Sequence, residues 1–92
     1  MTKTIEKKTY SDLFERIYNG TKTYDMRLAD WDCKTGDMIK FVEIDADRNL
    51  TGRVITKEVG WVGKTRDTDY WPQAEVDKYG YQIISLLDET KE

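Results

Sequence analysis

The hydrophobic pattern of this chain changes period at one place, and that change separates what can be helix from what can be strand. Ahead of Gly20, Tyr10, Leu13, Phe14, Ile17 and Tyr18 recur at intervals of three and four, the spacing that lays one apolar stripe along an α-helix. Beyond it, Tyr24, Met26 and Leu28 alternate with Thr23, Asp25 and Arg27, as in a strand whose successive side chains point to opposite faces. Gly20 suits the junction because it readily adopts the positive φ at which helices end. The alternation predicts Tyr24, Met26 and Leu28 on a core-facing side, Asp25 and Arg27 together on the other, and Lys22 at the mouth of the strand. A carboxylate and a guanidinium on one face either form a weak surface pair or hold a polar ligand between them.

Size limits what surrounds this junction. Ninety-two residues allow one domain with one modest core, so 1–92 is read as a single unit ending in a polar tail from about residue 88. Three Trp, six Tyr and two Phe place much of the apolar area in a few large side chains, which argues for a folded domain. A net charge of −3 and a pI near 5.0 have the wrong sign for a broad basic surface that coats nucleic acid, so any such binding must be local. The chain has no His, the commonest general base and metal ligand. Cys33 is alone and the N-terminus has no apolar run. No disulfide, signal peptide or membrane span is therefore expected, and a monomer in a reducing cytoplasm is the default.

Further elements follow from the same signals. Residues 4–8 read as a short first strand, and Ser11 is a candidate N-cap for the helix, with Asp12 and Glu15 complementing its dipole. Residues 29–37 are rich in turn formers and read as a loop; within it Trp31 either tucks over the end of a barrel or stacks on a flat ligand. Asp30 and Asp32 flank it without the six or more oxygens a hard cation wants, so no metal and no cofactor are expected. Residues 38–44 and 51–62 read as strands joined by a hairpin. Asp45, Asp47 and Asn49 imitate a calcium loop, but Leu50 stands where Gly is needed and Thr56 where a bidentate Glu is needed. Gly63-Lys64-Thr65 lacks the earlier glycine of a phosphate loop, that position being Glu58. Gly60 marks a bend or bulge, residues 64–69 an exposed connection, and Pro72 the first turn of a helix ending near Gly80. Residues 81–87 give the clearest strand signal. Every aromatic except Trp31 and Trp71 can be assigned to a core face.

The order strand, helix, three strands, helix, strand suits an α+β fold: a curled, mostly antiparallel sheet with two flanking helices. The octet Gly20-x-Lys22-x-x-Asp25-x-Arg27 resembles the G-x-K-x-x-E-x-R signature of the ASCH domains, a branch of the PUA-like superfamily, with Asp for the usual Glu. The likeness continues through Gly36-Asp37, Thr51-Gly52-Arg53 and the ending Tyr79-Gly80-Tyr81-Gln82-Ile83-Ile84-Ser85. It implies a small PUA-like barrel with a cleft between the first helix and the barrel. Lys22, Asp25 and Arg27 match the motif, and Lys8 matches a lysine near that cleft. The function expected from the resemblance is binding of RNA or a modified nucleotide through Lys8, Lys22, Asp25, Arg27 and Trp31. One alternative is a hydrolase of acylated nucleosides or RNA acting through Lys22, Asp25 and Glu75. In the amidohydrolase pattern a hydroxyl residue stands where this chain has Asp25, which counts against that mechanism. A protein-interaction domain is a further alternative, and an exposed apolar patch would be its mark.

Overall fold

The computed structural model describes residues 2–67 and 69–89, with only the backbone of Asp88 and Glu89. Along the chain run β1 (Thr4–Tyr10), α1 (Ser11–Tyr18), β2 (Tyr24–Leu28), β3 (Met38–Ile44), β4 (Leu50–Lys64), a 3-10 turn (Thr65–Asp67), α2 (Gln73–Tyr79) and β5 (Tyr81–Glu89). The element order is the one the sequence predicts. The strand expected to end near residue 87 runs on to Glu89, and the rest of the expected polar tail, residues 90–92, lies outside the described residues. Among the described residues no helix is long and apolar enough to cross a membrane.

The five strands form one sheet in the order β1-β3-β4-β5-β2. The β1–β3 pair is parallel and the other three are antiparallel. This order makes β1 and β2, which flank α1 in sequence, the two edges. The sheet curls until those edges approach: Arg27 on β2 donates from Nη2 to the Lys8 carbonyl at 3.3 Å and to the Thr9 hydroxyl at 3.0 Å on β1. A side chain, rather than a ladder of backbone bonds, spans the seam, so the sheet is a half-barrel. At Gly60 the β4–β5 register shifts on either side of Val59. A Cβ there would come within 3.0 Å of Ser85 Oγ and 3.2 Å of Leu87, so the bend requires glycine.

The core lies on the concave side. Phe14 and Ile17 of α1 pack with Cys33, Ile39, Phe41, Ile55, Val59 and Ile84, and Ile5, Trp31, Val62 and Leu86 close around them. The helical stripe is narrower than its sequence suggests, for Tyr10, Leu13 and Tyr18 remain about half exposed. Ser11 does not cap α1. Its hydroxyl donates to the Ile44 carbonyl at 3.1 Å, while Tyr10 occupies the cap position without a side-chain capping bond to the helix. Only α1 fills the barrel; α2 buries Val76 alone and packs against the 3-10 turn.

Three polar clusters fix the loops. Asp45 Oδ1 accepts from the amides of Asp47 and Asn49, both at 2.9 Å, so the calcium-like spacing serves a hairpin turn. Asp37, fully buried, accepts from the Lys3 amide at 3.1 Å and the Lys34 amide at 2.9 Å. Burial pushes its pKa up, but the two amides outweigh that and hold the carboxyl below the usual range. Arg53 grips Glu43 through Nε at 2.9 Å and Nη2 at 3.1 Å, and reaches Glu15 of α1 at 2.9 Å. Its guanidinium lies 5.1 Å from the ring centroids of both Phe14 and Tyr18, tying the helix to the β3–β4 hairpin.

The faces of β2 are the reverse of those predicted. Tyr24, Met26 and Leu28 are exposed, while Asp25 is buried and Arg27 partly so. Alternation correctly puts Asp25 and Arg27 on one face, but it cannot say which face is inner. Outside, cross-strand neighbours shield one another: Met26 lies opposite Ile83 and Leu28 opposite Tyr81. The aromatics are likewise not confined to the core, since Trp61, Tyr70, Tyr79 and Tyr81 are exposed.

Candidate functional site

Because β2 turns its charges inward and sits at the seam, a cluster of polar side chains gathers on the inner face of the half-barrel. Asp25 is 4% exposed, and Arg27 Nε donates to its Oδ2 at 2.6 Å. Register places Arg27 opposite Gln82 of β5, and Gln82 is fully buried. Its Nε2 donates to the Trp31 carbonyl at 3.2 Å. Among the described residues its Oε1 is buried without a donor, and leaving such an acceptor unpaired costs about 1–3 kcal/mol.

From the other edge, Ile5, Lys7 and Thr9 point inward while their neighbours face out. The Lys7 ammonium sits 3.9 Å from the centroid of the Trp31 ring, a cation–π contact that fixes the indole at the rim. Burial, assisted by Arg27, lowers the Lys7 pKa against the pull of Asp30 and Asp25. Lys22 is also lowered, burial outweighing the attraction of Asp25. Lys7, Lys22 and Arg27 thus cluster around Asp25, with Gln82 opposite Arg27 on β5. Arg27 Nη1 makes no bond to a described residue.

A family model for a domain of unknown function, DUF3850, matches residues 4–85. The chain belongs to the DUF3850 family. The matched span of DUF3850 runs from the start of β1 well into β5 and contains every residue of the inward polar cluster. No curated protein matches the chain.

The residues singled out from sequence fall in three places. Asp25, Arg27 and Trp31 belong to the inward cluster. Lys22 stands at its edge, its ammonium donating to the Tyr24 carbonyl at 2.8 Å and lying 4.6 Å from the Tyr24 ring. Lys8 turns its side chain out and contributes only its carbonyl to the seam; the inward lysine is Lys7. Glu75 is elsewhere, in a groove with Trp71, Tyr79 and Tyr81, so the structure does not bring it together with Lys22 and Asp25. Asp32 pairs with Lys64 at 3.0 Å, and among the described residues no three His, Cys, Asp or Glu side chains converge as a metal site would require. Burial raises the Cys33 pKa, which keeps the thiol protonated and unreactive.

Sequence reasoning missed Lys7, Thr9 and Gln82. Gln82 carries the plainest signal: an amide inside the aliphatic run of residues 81–87 is buried at a cost unless something hydrogen-bonds it. Lys7 shares the parity of Ile5, so an inward Ile5 implied an inward Lys7.

Proposed function

We propose that this inward polar cluster forms a recess that binds RNA or a modified nucleotide, and that the domain is an ASCH-type, PUA-like recognition module. The buried Gln82 Oε1 carries this reading. It is an acceptor without a donor among the described residues, set beside an inward-facing Asp25–Arg27 pair where apolar side chains would pack at less cost. A nucleobase supplies what is missing, because its edge offers N–H donors beside acceptors. The base donates to Gln82 Oε1, Arg27 Nη1 and Lys22 meet phosphate, and Trp31, held by Lys7, offers the edge of its ring at the rim. A small footprint is consistent with an acidic protein whose free Cys33 suits a reducing cytoplasm.

The footprint makes this reading measurable. Two or three phosphate contacts on a single strand, each contributing about −0.7 to the slope of log affinity against log salt, predict a slope no steeper than about −2. A titration of short single-stranded RNA across salt concentrations checks this, and a slope near −6 would refute a local site. Hydrolysis through Lys22, Asp25 and Glu75 has less support, since Glu75 lies in another groove. A protein-interaction role is favoured by one observation, the exposure of Met26, Leu28, Tyr81 and Ile83 on the outer face of β2 and β5.

A further inference from the structure

A hollow lies outside the barrel, where α2 meets the start of β5. Trp71 precedes the helix, Glu75 and Val76 stand one turn in, Tyr79 closes it, and Tyr81 opens the strand; together they line a groove of about 460 Å³, within the range of small-ligand sites. Val76 is buried and forms the floor, while Trp71, Tyr79 and Tyr81 are 56%, 56% and 48% exposed. Gly80 lets the walls close up: a Cβ there would meet Arg66 Cβ at 3.0 Å and the Val76 carbonyl at 3.1 Å.

The charge in the groove is one-sided. Among the described residues Glu75 is the sole formally charged one lining it, and no cation among them pairs with its carboxylate. Arg66 and Lys78 line the adjoining hollow together with Asp77. Lys78 shows what these rings accept, its ammonium lying 5.2 Å from the Tyr79 centroid. Aromatic faces attract cations through their quadrupole, and a carboxylate at the same place adds to that attraction while repelling phosphate. A primary ammonium is strongly hydrated and loses much of that hydration in an apolar groove. A quaternary ammonium carries the charge on methyl groups that bury against the rings.

We propose that this groove binds a small quaternary ammonium molecule of the choline type, with Trp71, Tyr79 and Tyr81 enclosing the methyl groups and Glu75 balancing the charge. The site is independent of the recess inside the barrel. The test is an NMR titration of the whole chain with choline and with its neutral carbon isostere, 3,3-dimethylbutan-1-ol. Choline is expected to shift the Trp71 indole and the Tyr81 amide with millimolar affinity and to leave the Gln82 side-chain amide unmoved. The isostere is expected to bind about fivefold more weakly, and Glu75→Gln to cost choline a similar factor. Trp71→Ala should abolish the response, its spectrum reporting that the fold is intact. Equal affinity for the isostere, indifference to Glu75→Gln, or no shift at about 50 mM choline would overturn the proposal. A trimethyl-lysine peptide binding more than about tenfold tighter than choline would overturn the small-molecule occupant in favour of a protein partner.

Discussion

Asp25→Ala should lower the melting temperature by roughly 12–40 °C, and Arg27→Met by a comparable amount. Asp25 is 4% exposed and bonded to Arg27 at 2.6 Å. Removing one member of a buried pair strands the other, at a cost of about 3–5 kcal/mol, and each kcal/mol moves the midpoint of a domain this size by about 4–8 °C. The double replacement Asp25→Leu with Arg27→Met should behave differently. Exchanging a buried pair for apolar side chains of similar volume is often neutral or stabilising by about 1–4 kcal/mol, and Leu and Met would join Ile84 on the same inner face. The double variant should therefore melt no more than about 5 °C below the parent and bind no nucleotide. Circular-dichroism melts decide between two roles for the pair. A double variant as unstable as either single one would mean that Arg27, through Lys8 and Thr9, is needed to hold the seam, and that the inward charges are structural.

Acid should unfold the domain through Glu43. Arg53 first, and Thr51 after it, hold the Glu43 carboxyl at a pKa of about 2, below its ordinary value of 4.5, despite burial. A folded-state pKa below the unfolded one contributes stability that is fully present above pH 4.5. That contribution is lost as pH falls through about 2. Melting temperature should thus fall steadily between those two values. Glu43→Gln should lower the midpoint at neutral pH by roughly 8–15 °C, from the loss of hydrogen bonds between charged groups, and should flatten the acid limb. A Glu43→Gln variant with the parent's acid dependence would place the responsible carboxylate elsewhere.

The order of elements is legible in the sequence because each carries its own period and punctuation: the stripe through Phe14 and Ile17, Gly20 after the helix, Pro72 before the next, the run from Tyr81. The sidedness of β2 is not. A period of two is unchanged by rotating the strand half a turn, and Tyr24, Met26 and Leu28 look like a core face in any local window. What decides the matter is non-local: β2 is an edge at a seam, and its charges find Thr9 and the Lys8 carbonyl across the barrel. The same non-locality hides Lys7 on β1 and Gln82 on β5, which come from the far ends of the matched span and lie near Arg27 only because the sheet curls its β1 and β2 edges together. The octet, by contrast, names Asp25 and Arg27 correctly as same-face partners, since that relation is local.

The recess is tested most directly by following its own side chains while nucleotide is added. In a chemical-shift titration with mononucleotides and short single-stranded RNA, the Gln82 side-chain amide, the Arg27 Nε–H and the Trp31 indole should move first and together, with the backbone amides of residues 21–28 following. If those three signals stay fixed while the Trp71 and Tyr81 resonances respond, nucleotide binds outside the barrel and the inward polar set is not its site.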